Sequence, residues 1–173
     1  MSRAFVKDDT PEDPPLVPPR PPLPAGVANY VTPRGLALLR AERDALEAER
    51  ARLHAAPADD GRKRDLAVVA GRLADLDARL SSAKVVDPAG QPRDEVRFGA
   101  TVTLRTLEGE HPGEERRLTL VGVDEASAAE GRVAFTAPIA RAILGKRVGE
   151  TATLRTARGE ERLEVVAIAY EPD

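Results

Sequence analysis

Two heptad-patterned segments on either side of a short polar turn constrain this chain more than any other feature. From residue 33 to about 56 the sequence is rich in Ala, Leu, Glu and Arg, and Leu39, Leu46 and Leu53 recur every seven residues, with Leu36 adding to the stripe. Pro57-Ala58-Asp59-Asp60-Gly61 interrupts the pattern with turn chemistry. It resumes more cleanly from about Arg62 to Ala83, through Leu66, Val69, Leu73, Leu76 and Leu80. Two helices of similar length joined this way form an antiparallel hairpin. At about 1.5 Å per residue each arm is roughly 30 to 35 Å long. So slender a pair has no globular core and must project from, or dock on, something else. Thr32 suits the N-cap of the first arm, Pro33 its first helical position, and Val31 can staple to Leu36. The remaining seam positions fall to Arg43 and Arg50 or to Glu42 and Glu49, whose stems lie along the seam while their charges reach water.

After a connector with turns at Asp87-Pro88 and Ala89-Gly90, the period changes from about Phe98 to two. Val102 and Leu104 alternate with Thr101, Thr103 and Arg105; Leu118 and Leu120 alternate with Arg117 and Thr119; Val133 and Phe135 mark a short third strand. Pro138 to Gly145 reads as a short helix with Gly145 at its C-terminal end. Ala152 and Leu154 begin a fourth strand, and Leu163 to Tyr170 is apolar enough to be central. The expected class is α+β: a helical hairpin followed by an antiparallel sheet domain with one short helix. The expected divisions are a proline-rich tail (1–28), the hairpin (29–86), a linker (87–97) and the sheet domain (98–173).

Composition narrows the function. A formal net charge of -3 excludes coating of nucleic acid by bulk charge, though not a local basic stripe. With no cysteine there is no disulfide framework, thiolate zinc site or cysteine nucleophile. His54 and His111, the only histidines, stand in polar surroundings that suit neither metal binding nor a catalytic triad. No apolar run approaches bilayer length and no signal segment opens the chain, so the expectation is a soluble, cytoplasmic protein with no membrane partner. Eight of the fifteen prolines fall between Pro11 and Pro24, beside Asp8, Asp9, Glu12 and Asp13. Such a stretch forms neither helix nor sheet ladder. It is expected as a disordered tail of polyproline character, either a peptide ligand or a solvated leader.

The C-terminal motifs resemble those of the bacterial GreA/GreB transcription elongation factors. Val96-Arg97-Phe98-Gly99-Ala100-Thr101-Val102-Thr103-Leu104 is similar to the opening strand of that family's C-terminal domain. Leu120-Val121-Gly122-Val123-Asp124-Glu125-Ala126 resembles its VGxDEA turn. Ala137-Pro138-Ile139-Ala140-Arg141-Ala142-Ile143-Leu144-Gly145-Lys146 matches its SPIARxLxGK segment almost residue by residue. Glu160 to Tyr170 is similar to its closing strand, and Thr32 to Gly35 and Val85 to Pro88 match the ends of its hairpin. Met1 to Lys7 looks like GreB-type relatives with a proline-rich leader. The resemblance implies an FKBP-like sheet domain without prolyl isomerase activity, docked at the rim of the RNA polymerase secondary channel. It implies Pro138, Ile139, Arg141, Leu144, Lys146, Asp124 and Glu125 as polymerase-docking residues. The hairpin would enter the channel, where acidic tip residues of active members help hold a second magnesium ion while the polymerase hydrolyses backtracked RNA. Such a factor is a monomer and not an enzyme itself. It binds no cofactor stably, meets Mg²⁺ only transiently, and contacts nascent RNA through the polymerase complex.

The tip departs from the family pattern. Asp59, Asp60, Gly61, Arg62, Lys63 and Arg64 replace the Asp and Glu-Asn-Ala-Glu-Tyr signature, and the arms look shorter by two or more turns, on the order of 10 Å. Asp59 and Asp60 are the candidate magnesium ligands; the alternative is that they cap the second helix. Arg62, Lys63 and Arg64 are candidates for RNA or channel contacts, or a solvated face. Three functions compete: a Gre factor that modulates elongation with or without cleavage, a short-armed competitor that occupies the channel without donating magnesium, and an FKBP-like prolyl isomerase. The last needs an aromatic-lined pocket, for which Phe98, Phe135 and Tyr170 look too few and too scattered.

Overall fold

The computed structural model describes residues 20–171. A two-residue strand β1 (Tyr30–Val31) leads into α1 (Pro33–Ala55), which turns back through residues 56–59 into α2 (Asp60–Ser81). Strand β2 (Lys84–Val85) then pairs in parallel with β1 and closes the base of the hairpin. The helices are antiparallel: Arg43 of α1 reaches Asp77 of α2, while Arg62 near the start of α2 reaches the carbonyl of Ala56. Thr32 caps α1 by accepting from the Gly35 N–H at 2.9 Å, and Pro33 fills the first turn.

Leu39, Leu46, Val69, Leu73 and Leu76 form the seam together with Val31, and Leu36, Leu53, Leu80 and Ala83 pack against it half-buried. Burying each such leucine contributes about 1.5 to 3 kcal/mol. Toward the tip the seam thins, since Leu66 falls outside the buried set. Asn29 secures the other end, its buried amide donating to the Arg79 carbonyl of the last α2 turn at 2.8 Å and to Ser82 at 3.1 Å.

The second unit is a five-stranded sheet built from β3 (Thr101–Glu108), β4 (Glu115–Val121), β5 (Arg132–Ala134), β6 (Thr151–Thr156) and β7 (Gly159–Ala169), in the order β5-β4-β3-β7-β6. Helix α3 (Pro138–Ile143) lies against β6 and lends Ala140 and Ile143 to a core of Val102, Leu104, Leu120, Leu163 and Val165, all fully buried. The α+β class and the alternating strands hold as expected. The sheet is mixed rather than wholly antiparallel, because β5 joins β4 in parallel after the return through residues 122–131. Strand β3 opens at Thr101 because Phe98 is drawn into an aromatic cluster described below. Gly145 follows α3 at φ +80°, the left-handed turn that only glycine takes freely.

On the sheet surface most arginines face a carboxylate across the strands: Arg105 with Glu115, Arg116 with Glu161, Arg162 with Glu108, Arg155 with Glu160 and Arg158 with Glu110. Exposed pairs like these stabilise little, but they leave this surface charge-matched rather than basic. Among the described residues no helix is long and apolar enough to cross a membrane.

Arg20 to Ala28, grouped with the disordered tail on composition, is tied to the fold by hydrogen bonds, although Pro21, Pro22, Pro24, Ala25 and Gly26 are exposed. Arg20 and Pro21 bond to the hairpin and the sheet unit, and Pro24 to Val27 close a turn through a 3.1 Å backbone hydrogen bond. The tail expectation for residues 1–19, and the GreB likeness of Met1 to Lys7, lie outside the described residues.

Candidate functional site

Three places gather the residues singled out in the sequence. The first is the hairpin tip. Asp59 is the N-cap of α2, its Oδ1 accepting from the Arg62 N–H at 2.6 Å. The Arg62 side chain turns back and donates to the Ala56 carbonyl at 2.6 Å, closing the C-terminal end of α1. Asp60 pairs with Lys63 at 3.3 Å on a fully solvated face. Arg64 is exposed. Asp59 and Arg62 are therefore spent on building the turn. Asp59 is engaged as a cap, and Asp60 is exposed and paired with a lysine. Among the described residues no cluster of three or more His, Cys, Asp or Glu could hold a metal.

The second place is the outer face of α3. Pro138 and Arg141 are exposed and Leu144 is 37 % exposed, whereas Ile139 packs on the sheet core and Lys146 is half-buried. The apolar positions of this segment are thus divided between core and surface. Phe135, Thr136, Arg141 and Leu144 form one wall of a shallow cleft of about 390 Å³, and Pro24, Ala25 and Val27 form the other. Behind it, Phe98 and Phe135 meet edge to face at 5.5 Å, and Tyr30 completes the trio at 5.8 and 5.7 Å. Phe98 and Phe135 are therefore not scattered, as the sequence suggested. They pack on one another, and Phe135 also lines the cleft. Tyr170 sits elsewhere, its hydroxyl donating to the Glu95 carbonyl at 2.6 Å and accepting from the Arg97 N–H at 2.9 Å. Burial pushes this phenol above its ordinary pKa.

The third place is the junction between hairpin and sheet, where the structure puts Asp124 and Glu125. The Glu125 side chain is 2 % exposed. Its carboxylate accepts from the Thr32 hydroxyl at 2.6 Å and from Arg132 at 2.6 Å, with Arg34 at 3.3 Å. It lies at the N-terminal end of α1, where the helix dipole favours negative charge. The same Thr32 hydroxyl caps α1, so the cap and the carboxylate form one chain. The approach is close enough that a Cβ on Gly35 would stand 2.7 Å from Glu125 Oε2, and one on Gly122 would stand 2.7 Å from the Tyr30 carbonyl oxygen. Asp124 lies between two arginines, Arg20 at 2.8 Å and the buried Arg79 at 3.4 Å. Burial opposes the Arg20 charge, but its hydrogen bonds to Glu42 and Asp124 outweigh that and raise its pKa. Neither carboxylate stands on an open face; both tie the hairpin to the sheet. Sequence reasoning missed Arg20, Asn29 and Arg79, whose partners lie far along the chain, and Arg132, which reaches Glu125 across the turn before β5. The signal that was present is the adjacency of two carboxylates in a turn with no alternating strand around them.

The family description "Transcription elongation factor, GreA/GreB, C-term" matches residues 91–170. The transcription elongation factor GreA of a Nitratiruptor species is 37 % identical over 124 residues, covering 72 % of this chain and 71 % of the relative. That of a Psychrobacter species is 35 % identical over 156 residues, covering 82 % and 97 %. Among solved structures, the GreA/GreB factor of Nitrosomonas europaea aligns over 83 % of this chain and 99 % of its own at 23 % identity, with a TM-score of 0.40. The GreA factor homolog 1 (Gfh1) of Thermus thermophilus aligns over 83 % and 99 % at 22 % identity, with a TM-score of 0.38. With curated relatives at 35 to 37 % identity covering more than two thirds of it, this chain belongs to the GreA/GreB family of transcription elongation factors.

Proposed function

We propose that this protein binds RNA polymerase at the secondary channel as an accessory factor, inserts its hairpin, and modulates elongation without supplying a magnesium ligand. Docking is assigned to the α3 face, through Pro138, Arg141 and Leu144, with Ile139 and Lys146 supporting it from beneath. Asp124 and Glu125 act one step back, holding the hairpin to that face.

The closed tip carries the proposal. Asp59 is bound to the Arg62 N–H and the Arg62 side chain to the Ala56 carbonyl. The cap engages Oδ1 of Asp59 and is worth about 1 kcal/mol, which holds this carboxylate against its own helix. We assign Lys63 and Arg64, both exposed, to phosphate groups of the channel or of nascent RNA; Arg62 is half-buried and holds the turn.

The test is to add the protein to stalled, backtracked elongation complexes. The expected result is a complex that retains the factor, shows altered elongation and gives no fresh 3′ RNA fragments. Such fragments, abolished by Asp60→Ala, would establish the cleavage-stimulating reading instead. Failure of the polymerase to retain the protein would remove the whole proposal. No observation favours a prolyl isomerase, since the aromatic trio is filled by its own rings.

A further inference from the structure

The two apolar cores share no residue. Apart from the Tyr30 ring against Phe98 and Phe135, the described links between hairpin and sheet are polar. Most act close to the point where α1 begins: Thr32 and Arg34 on Glu125, and the backbone of Tyr30 against Gly122. Contacts at a pivot fix position but resist tilting weakly. Arg79, in the last turn of α2, also pairs with Asp124 at 3.4 Å, still near the base. One contact acts farther out along the arms. Arg20 spreads its guanidinium between Glu42 Oε1 at 2.5 Å and Asp124 Oδ1 at 2.8 Å, and its backbone N–H reaches Asp75 of α2 at 3.3 Å. Glu42 lies ten residues beyond Thr32 along α1, which is about 15 Å of lever arm.

The chain that delivers this arginine is stiff. Pro21, Pro22 and Pro24 follow it directly, each with a fixed φ. The Pro21 carbonyl accepts from the buried Arg79, and the Pro24 to Val27 turn faces Phe135 and Leu144 of the sheet unit across the cleft. A pre-stiffened segment loses little freedom on docking. It also transmits force where a flexible one would slacken.

We propose that residues 20–27 are a brace that sets the angle at which the hairpin leaves the sheet unit, with Arg20 as its strut between Glu42 and Asp124. The proline-rich segment is then a working part of the factor. Its displacement, by a partner that captures the leader, would release the hairpin to swing about its base. This inference rests on the geometry of the junction and stands or falls independently of polymerase binding.

The chain has no cysteine, so His54→Cys near the tip and Thr153→Cys on the sheet, both exposed positions, give a clean pair for spin labels in the full-length protein. Their distance distribution is compared between the native strut, Arg20→Ala, Arg20→Lys and a chain lacking residues 1–28, with helix content followed by circular dichroism. The native strut is expected to give one narrow distribution. Arg20→Ala loses both charge-assisted bonds, and a second, displaced population is expected to rise by about tenfold or more at unchanged helix content. Arg20→Lys, a single point charge that cannot fork between two carboxylates, is expected to fall between. The shortened chain is expected to broaden at least as far as Arg20→Ala. A distribution in either Arg20→Ala or the shortened chain that superimposes on that of the native strut overturns the proposal.

Discussion

Replacing Gly35 by alanine pits two opposite effects of similar size against each other. Gly35 occupies the third position of α1, where alanine alone would gain up to about 1 kcal/mol in helix propensity. The new Cβ, however, would stand 2.7 Å from Glu125 Oε2. A carboxylate end can normally rotate away at little cost. This one is held by the Thr32 hydroxyl at 2.6 Å, by Arg132 at 2.6 Å and by Arg34, and its side chain is 2 % exposed. Moving it by the needed fraction of an ångström disrupts hydrogen bonds to a charged group worth about 1.5 to 3 kcal/mol each. We therefore expect Gly35→Ala to destabilise the hairpin by about 1 to 2 kcal/mol net. In a Glu125→Ala background the obstruction is gone and only the propensity remains, so the same substitution should stabilise by about 0.5 to 1 kcal/mol. The coupling is then about 2 kcal/mol, well above what independent sites show. Urea denaturation of the four proteins, followed by far-ultraviolet ellipticity, measures it. A Gly35→Ala effect of the same sign and size in both backgrounds would refute the idea that a pinned carboxylate is what demands glycine.

Other expectations follow from single contacts. Leu76→Ala, at a fully buried seam position, should cost about 2 to 5 kcal/mol and melt the hairpin before the sheet, as seen by comparing helix and strand signals. Asp59→Ala should cost about 1 kcal/mol of helix stability through the lost cap, measured by thermal melting, while Asp60→Ala should change little. The raised pKa of Tyr170 means that folding favours its neutral form. Its contribution is fully present below the ordinary phenol value of about 10 and is lost as pH rises through that value toward the higher folded one. Denaturant midpoints across the alkaline range should fall more steeply for the native chain than for Tyr170→Phe; parallel curves would exclude this source.

Local features were legible in the sequence. Thr32, Pro33 and Asp59 act as caps because capping needs only neighbours within a turn. The seam leucines were readable because the heptad repeat fixes which face they share. The junction was not legible, since Glu125 gathers Thr32 and Arg34 from more than ninety positions away. Nothing in the local pattern separates an acidic residue that caps a distant helix from one that faces solvent. The direction of β5 was hidden for another reason: three residues show alternation but carry no sign of which way the neighbour runs. Composition misplaced the end of the leader because it weighs a proline run as a whole. A single arginine at its close decides whether the last residues dock. At the tip, the capping role of Asp59 was legible because its partner, the Arg62 N–H, is three residues away.

That the two cores have no side chain in common has a consequence for how such a factor can change. Beyond Leu46 and Val69 the core contacts of the arms among the described residues are with each other, so whole heptads can be inserted or removed there in matched pairs with no repacking of the sheet below. Reach becomes an adjustable dimension, separable from grip. Lineages, or a protein engineer, can lengthen or trim the probe while the base that holds it is inherited unaltered.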